Sequence, residues 1–197
     1  DVNSKRHVQV VIVSNSGAID PLWKVFQKTS SPVIAFSTKK MPQNLRASIA
    51  RLVIAEGVNN PDNIGGLFRT AAAFGADLVV LGPSCGDPLY RKAIRTSMAA
   101  TLVVPFVTAP LWPDAIAELK VDGFTVAALT PRHDALPLRE LPRHAKLAVV
   151  VGAEGDGLTE PAMSASSVRV CIPMTAAMDS LNVTTAASIA MYHCWQE

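Results

Sequence analysis

Few cysteines, scattered histidines and the lack of a long apolar run each exclude a class of protein. The three cysteines, Cys85, Cys171 and Cys194, are far apart and odd in number, so they fit neither a disulfide framework nor a zinc motif. The four histidines are scattered as well, and no metal site is predicted. No apolar run approaches the ~18 residues of a membrane span, and the start of the chain lacks signal-peptide organisation. We therefore expect a reducing, cytoplasmic compartment.

The composition predicts a globular protein with a large core. Apolar residues make up 49% of the 197 residues and charged residues 17%, which argues against disorder. The charge is unevenly divided, because residues 1–51 carry a net charge of +6 and residues 52–197 a net charge of −4. A basic first part indicates either an anionic partner, with nucleic acid as the first candidate, or a well-solvated basic surface.

Two regions differ in their pattern of strands and helices. Residues 1–45 predict a partial α/β appendage, with strands at 8–13 and 33–36 and a helix at 21–27. In residues 46–197 strands and helices alternate, which indicates the α/β class. The strands are continuously apolar, as in a parallel sheet that helices cover on both faces. The expected strands are 52–55, 78–81, 102–106, 124–129, 147–151 and 168–172, and the expected helices are 65–74, 89–98, 112–119, 161–165 and 180–195.

The first polar loop, NNPDNIGG, joins an expected strand to an expected helix. Asp62 or Asn63 is the predicted helix cap, and free N–H groups at a helix start favour an anion. Gly65 would let a ligand approach the backbone, although neither GxGxxG nor GxxxxGK is present. Arg69 follows one turn later among apolar residues. It faces either the core or a cleft, and a buried arginine needs a carboxylate or phosphate partner.

Two later loops carry the other candidate residues. In GAEGDGL (152–158), three glycines surround Glu154 at the end of an apolar strand, where open α/β sheets bind ligands; a tight turn with solvated acids is the alternative. In IPMTAAMDSLNV (172–183), a strand ends and the last helix begins, with Asp179 or Ser180 as its expected cap. Asn182 is polar one turn inside this helix, which favours a site over a helix that only closes the core.

Taken together and in this order, the loops resemble the motifs of the SpoU/TrmH family of RNA 2′-O-ribose methyltransferases, within the SPOUT superfamily. The motif N-x-G-x-x-x-R is matched by Asn63, Gly65 and Arg69, the second motif by residues 152–158, and the third by residues 172–174 and 180–183. A basic helix with R-x-S is matched by Arg91, Lys92, Arg95 and Ser97. The resemblance covers residues 51–197. Ala99 and Ala176 stand where relatives usually have glycine.

The resemblance implies a SPOUT fold whose C-terminal segment passes through a loop and forms a trefoil knot. It implies that S-adenosylmethionine binds in this knot, that no metal is required, and that the protein is a homodimer with its site near the subunit interface. Residues 1–45 are loosely similar to the end of a small ribosomal-protein-like RNA-binding domain. The beginning of that domain is expected to lie before residue 1.

The resemblance also implies roles for individual residues. Arg69 is the expected catalytic residue, described for the family as a base; because arginine stays protonated in proteins, we favour a clamp on the phosphate of the target. Asn63 and Glu154 are expected to orient Arg69 and the loops, while Ser180 and Asn182 hold the ribose or the knot loop. The expected cofactor residues are Leu129, Thr130, Gly152, Ile172 and Leu181. The expected RNA-binding residues are Arg91, Lys92 and Arg95, together with Lys24, Lys28, Lys39, Lys40 and Arg46.

The predicted function is therefore methylation of a ribose 2′-OH by S-adenosylmethionine. The basic appendage favours ribosomal RNA over transfer RNA as the substrate. One alternative is a non-catalytic RNA-binding member of the same fold, if Ala99 and Ala176 block the donor pocket. Another is a nucleotide- or dinucleotide-binding α/β enzyme. The absence of both phosphate-binding motifs, GxGxxG and GxxxxGK, argues against it.

Overall fold

The computed structural model describes residues 10–14, 33–37, 49–109, 111–175 and 179–195. The strands are β1 (Val10–Ser14), β2 (Val33–Ser37), β3 (Arg51–Ala55), β4 (Leu78–Leu81), β5 (Phe106–Thr108), β6 (Thr125–Leu129), β7 (Leu136–Pro137), β8 (Leu147–Val151) and β9 (Val168–Cys171). The helices are α1 (Pro61–Ala73), α2 (Arg91–Thr96), α3 (Asp114–Val121), α4 (Glu160–Ala165) and α5 (Val183–Trp195), with 3-10 turns at Ala100–Leu102 and Leu138–Glu140.

Seven of the strands form one sheet in the order β5-β4-β3-β8-β6-β9-β7. Every neighbouring pair in this sheet is parallel, which confirms the predicted parallel sheet. Because all seven strands run in one direction, their carboxyl ends lie along the same edge. The loops that follow β3, β6, β8 and β9 therefore meet at that edge, where open α/β sheets bind ligands.

Helices cover the sheet on both faces, as the apolar strands predicted. Alternate residues of β3 point to opposite faces, so Val53 and Ala55 belong to one buried cluster and Leu52 and Ile54 to the other. The first cluster includes side chains of α1, α2 and α5, and the second includes side chains of α3 and α4. The α/β class with helices on both faces is thus confirmed.

Helix α1 begins at Pro61 rather than at residue 65. The side chain of Asn60 accepts a hydrogen bond from the N–H of Asp62 at 2.9 Å, so Asn60 is the cap, and the prediction of Asp62 or Asn63 was wrong. Proline fits the first helical position because the N–H that it lacks would have no partner there. The earlier start places Asn63 inside the helix, where it is buried.

The strand predicted at 102–106 is also wrong. The structure has the 3-10 turn Ala100–Leu102 there, and β5 starts only at Phe106. Pro105 has no N–H to donate to a neighbouring strand, which explains why the strand begins after it. Leu102 and Val103 are exposed, so their apolar character does not reflect a buried strand. The two-residue strand β7 was not predicted.

The N-terminal region is described only in part. Strands β1 and β2 form a separate parallel pair close to their predicted positions. The helix predicted at 21–27 and the basic residues predicted to bind RNA in this region lie outside the described residues. None of the helices in the described part of the chain is both long and apolar enough to cross a membrane.

Candidate functional site

A cavity of about 400 Å³ lies at the carboxyl ends of β6, β8 and β9. Its wall contains all five predicted cofactor residues, Leu129, Thr130, Gly152, Ile172 and Leu181. Its wall also contains Glu154, Ser180 and Asn182 from the predicted catalytic set. Of the other wall residues, Ala153, Gly155, Gly157, Met174 and Val183 belong to the predicted motifs, whereas sequence reasoning missed Pro131, Val151 and Ala186. Most of these flank the predicted residues in the same loops, so adjacency in sequence was the available signal.

The loop after β8 forms a closed turn that brings Glu154 to the cavity. A side chain at Gly152 would place its Cβ only 2.3 Å from the backbone carbon of Gly157, so glycine is required there. The N–H of Gly157 donates to the carbonyl of Ala153 at 3.1 Å and closes the turn. The glycines of this loop therefore serve its turn geometry, and the same turn presents its backbone and Glu154 to the cavity.

Asn182 joins the three motif loops. Its amide nitrogen donates to the Oδ1 of Asn63 at 3.0 Å and to the Oε1 of Glu154 at 2.9 Å. The sequence predicted that Asn63 and Glu154 orient Arg69 and the loops; in the structure both contact Asn182 of the third loop. The three loops, far apart in sequence, thus meet at one side-chain amide.

Asn182 also begins the last helix. Its Oδ1 accepts hydrogen bonds from the N–H groups of Thr184 at 2.9 Å and Thr185 at 3.4 Å, which is the arrangement of a helix N-cap. Helix α5 accordingly starts at Val183, and the predicted start at 180 with Asp179 or Ser180 as cap was wrong. One side chain thereby fixes both the helix and the two other loops.

Gly65 and Gly66, the two glycines of the first loop, serve helix packing rather than ligand access. A Cβ on Gly65 would lie 1.9 Å from the Oγ1 of Thr96 and 2.8 Å from the carbonyl oxygen of Ala93, so α1 and α2 touch there. A Cβ on Gly66 would lie 2.8 Å from the Oγ1 of Thr184 on α5. The prediction that Gly65 makes room for an RNA backbone was therefore wrong, because that space is filled by α2.

Arg69 is exposed and is not among the residues that line the cavity. On α1 the side chains of Ile64, Leu67, Phe68 and Ala71 are buried, and Arg69 lies on the opposite side of the helix. It is six residues beyond Asn63, which is about 9 Å along the helix axis. No described residue forms an ion pair or a side-chain hydrogen bond with it, and an exposed arginine needs none. Within the described ranges, the guanidinium thus has no side-chain partner.

Helix α2 carries the predicted RNA-binding side chains on the surface. Arg91, Lys92 and Arg95 are all exposed, and Lys92 pairs with Asp62 at 2.7 Å, which lowers its availability. Ala99 follows this helix with φ of 66°, in the left-handed region that favours glycine. It does not line the cavity. The alanine at this position therefore strains the backbone and leaves the pocket unchanged. Ala176 lies outside the described residues.

Sequence reasoning missed a buried acid beside the site. Glu56 directly follows β3 and is only 4% exposed. Its carboxylate accepts hydrogen bonds from Thr159, which follows the loop 152–158, and from the indole N–H of Trp112. A charged residue at the end of the apolar strand RLVIA was the signal, since a buried charge requires a dedicated set of partners.

The cysteines lie apart from the cavity wall. Burial raises the pKa of the Cys194 thiol to about 11 and also raises that of Cys85, so neither is an activated nucleophile. Within the described ranges, no group of three or more His, Cys, Asp or Glu side chains is placed to hold a metal ion.

The fold and the cavity together define an α/β protein with a cavity of small-molecule size at the carboxyl ends of a parallel sheet. The model of the SpoU rRNA Methylase family matches residues 50–192. The chain therefore belongs to the SpoU family, as its motifs indicated.

Individual relatives agree with this assignment. An uncharacterized tRNA/rRNA methyltransferase of Mycobacterium tuberculosis is 46% identical over 149 residues, which are 74% of this chain and 52% of the relative. The chain thus spans about half the length of that relative. The 23S rRNA (guanosine(2553)-2'-O)-methyltransferase RlmP of Bacillus subtilis is 31% identical over 84% of this chain and 66% of its own length.

A solved structure shares the fold. The SpoU methyltransferase AviRb of Streptomyces viridochromogenes, in complex with the cofactor AdoMet, matches with a TM-score of 0.69 and 18% identity. The match covers 94% of this chain and 81% of AviRb. At this identity the likeness concerns the fold alone.

Proposed function

We propose that this chain transfers a methyl group from S-adenosylmethionine to the 2′-OH of a ribose in RNA, with ribosomal RNA as the substrate. The observation that carries the proposal is that the three motif loops meet at Asn182, a residue of the cavity wall, although only the second and third loops line the cavity themselves. Family membership supplies the reaction class. One relative is named as a 23S rRNA methyltransferase and another as a tRNA/rRNA methyltransferase, which supports an RNA substrate.

The cavity fits the methyl donor. Its volume of about 400 Å³ lies within the range of small-molecule sites. Leu129, Ile172 and Leu181 offer an apolar surface for an adenine ring, and the turn after Gly152 offers backbone polar groups beside it. When bound, the donor supplies an activated methyl group on a sulfonium sulfur.

The protein must position the acceptor oxygen and assist the loss of its proton. In the net reaction the ribose oxygen gains the methyl group, the donor sulfur keeps the electron pair of the broken bond, and the hydroxyl proton is released. Arg69 would hold a phosphate of the target, which aligns the 2′-OH and lets a phosphate oxygen take up the proton. Asn182, Asn63 and Glu154 would fix the loops around the acceptor, with Ser180 close to the ribose.

A homodimer is part of the proposal. Helix α5 exposes Ile189 and Tyr192, the latter by 57%, and α1, which packs against α5, exposes Ala72 and Ala73. An interface on these helices would bring Arg69 of α1 close to the subunit boundary, where an incoming RNA strand meets both copies. A Tyr192→Lys variant should then lose dimer mass in light scattering, while a persistent dimer would contradict this interface.

The trefoil knot is proposed as well. Residues 180–183 line the same cavity as the closed turn 152–157, and Asn182 bonds to Glu154 within that turn. These contacts are those expected where a C-terminal segment passes through a loop. The proposed compartment is the cytoplasm, where RNA is modified.

The role of Arg69 is tested by Arg69→Ala in a methyl-transfer assay with unmethylated RNA. Removal of one electrostatic clamp should slow transfer by about 100-fold or more, while calorimetry should show donor affinity unchanged. Arg139→Ala is the matched control, because Arg139 is an exposed arginine that pairs only with its neighbour Glu140 at 3.6 Å among described residues. Near-normal turnover of Arg69→Ala would show that the assignment is wrong.

The substrate is tested by mapping ribose methylation in cells. Ribosomal and transfer RNA from a deletion strain and its parent are compared for 2′-O-methyl groups, and one ribosomal position should lose its methyl group. Loss at a transfer RNA position would replace the ribosomal assignment. If the purified protein does not bind S-adenosylmethionine in calorimetry, the non-catalytic RNA-binding alternative is favoured instead.

A further inference from the structure

Glu56 is a buried carboxylate whose contacts were not needed for the proposed reaction. It lies directly after β3 and is 4% exposed. Three donors point at it: the Thr159 hydroxyl at 2.8 Å, the Thr159 N–H at 2.9 Å, and the indole N–H of Trp112. No lysine or arginine among the described residues forms an ion pair with it. A carboxylate that is buried without a cation depends on its hydrogen bonds, so these three contacts are required for its burial.

Two of the three bonds come from Thr159, the residue that directly follows the loop assigned to the methyl donor. This loop, residues 152–158, supplies five of the wall residues of the cavity, namely Gly152, Ala153, Glu154, Gly155 and Gly157. Thr159 is also the N-cap of α4, because its Oγ1 accepts from the N–H of Ala162 at 3.4 Å. The hydroxyl of Thr159 therefore links the carboxylate of Glu56 to the start of a helix.

The same stretch of chain also meets the beginning of the loop. The N–H of Glu56 donates to the carbonyl of Val151 at 2.9 Å, and a Cβ on Gly57 would lie 3.1 Å from the Cβ of Ala153. The backbone after β3 thus contacts the first residues of the loop, while the side chain of Glu56 holds Thr159, which directly follows the last residue of the loop. Both ends of the loop are fixed to one short segment, and the residues between them face the cavity.

We propose that Glu56 is a positioning residue for the methyl-donor loop: its carboxylate anchors Thr159 and thereby holds residues 152–158 in the shape that binds the donor. The proposal rests on the proposed function, since it assigns the loop to the donor. Glu56 does not line the cavity and acts only through Thr159.

The matched variants separate the bonds that the carboxylate accepts from Thr159 from the bond that it accepts from Trp112. Thr159→Val removes the hydroxyl with little change in shape, and with it the cap of α4. Glu56→Gln leaves one acceptor oxygen where the three donors have two, so at least one of the three bonds is lost. Thr159→Ser keeps both donors and is the conservative rescue. Trp112→Phe removes the third bond to the same carboxylate and reduces the packed ring without changing a residue of the loop, so it reports these losses in the absence of any change at Thr159.

Two measurements distinguish positioning from a general loss of stability. In calorimetry, Thr159→Val and Glu56→Gln should weaken S-adenosylmethionine binding about tenfold, while Thr159→Ser and Trp112→Phe should stay within about twofold of wild type. In hydrogen exchange without donor, the amides of residues 153–158 should exchange faster in the first two variants only.

The proposal would be overturned if the amides of residues 153–158 exchanged at equal rates in Glu56→Gln and Trp112→Phe. It would also be overturned if the affinity for S-adenosylmethionine were unchanged in both Thr159→Val and Glu56→Gln. If the wild-type protein itself does not bind S-adenosylmethionine, the proposed function fails. Hydrogen exchange then decides on its own whether Glu56 anchors the loop.

Discussion

Replacing Gly65 by alanine adds one methyl group at the contact between α1 and α2. The new Cβ would lie 1.9 Å from the Oγ1 of Thr96, 2.9 Å from its Cβ and 2.8 Å from the carbonyl oxygen of Ala93. The hydroxyl of Thr96 can rotate away, but the carbonyl oxygen belongs to the backbone of α2. The helices must therefore move apart to accept the substitution.

Two opposing terms set the size of the effect. Alanine is favoured over glycine inside a helix by about 1 kcal/mol, whereas overpacking a filled contact costs about 1–3 kcal/mol. Because three atoms lie within 3.0 Å of the added carbon, we expect the upper part of that range, and hence a net loss of about 1–2 kcal/mol. For a chain of this size the midpoint of thermal unfolding should fall by roughly 2–8 °C.

Chemical denaturation of purified protein measures this change. Ala117→Gly is the control, because Ala117 is exposed within α3 and reports the propensity term without the contact. A double variant with Thr96→Ala should recover part of the loss. If Gly65→Ala is as stable as wild type or more so, the packing assignment is refuted, and Gly65 regains its interpretation as room for a ligand.

Three further predictions concern other residues. Ala99→Gly should stabilise the protein by about 1 kcal/mol in denaturant titrations, because it relieves a positive φ; a loss of stability would contradict this. Asn182→Asp should keep the cap of α5, since its oxygen still accepts from the helix, yet slow methyl transfer about tenfold or more, because a carboxylate would face Glu154; a transfer rate equal to wild type would exclude the amide from the site. Cys194, whose pKa burial raises to about 11, should react with iodoacetamide at pH 8.5 at least about tenfold more slowly in the folded than in the unfolded protein. Its thiol should ionise only as the pH approaches that value, and equal rates in both states would show that the thiol is not shielded.

Much of the fold could be read from the sequence. Strands such as Leu147–Val151 are apolar at every position because the sheet is covered on both sides, and their bounds were predicted correctly. The failures have local causes: Asn60 rather than Asp62 caps the helix, and β5 starts only after Pro105, while Leu102 and Val103 before it lie on the surface. A sequence window shows an apolar residue but cannot show which side of the molecule it faces.

The site was predictable in its parts but less so in its connections. The second and third motifs identified most of the cavity wall, including Gly152 and Ile172. The partner of Asn63 could not be predicted, because Asn182 is 119 residues away and only the packing of α1 against α5 brings them together. The roles of Gly65 and of Glu56 likewise depend on contacts with distant residues, which no local pattern encodes.

The bond between Asn63 and Asn182 has a consequence for the order in which the protein is made. These residues are 119 positions apart, so at typical translation speeds of roughly 5–20 residues per second Asn182 is added roughly 6–24 s after Asn63. A nascent chain that already contains the first two loops still lacks the residue that joins them. The cavity is thus among the last parts of the domain to be completed during synthesis, and an unfinished chain would lack the assembled cavity.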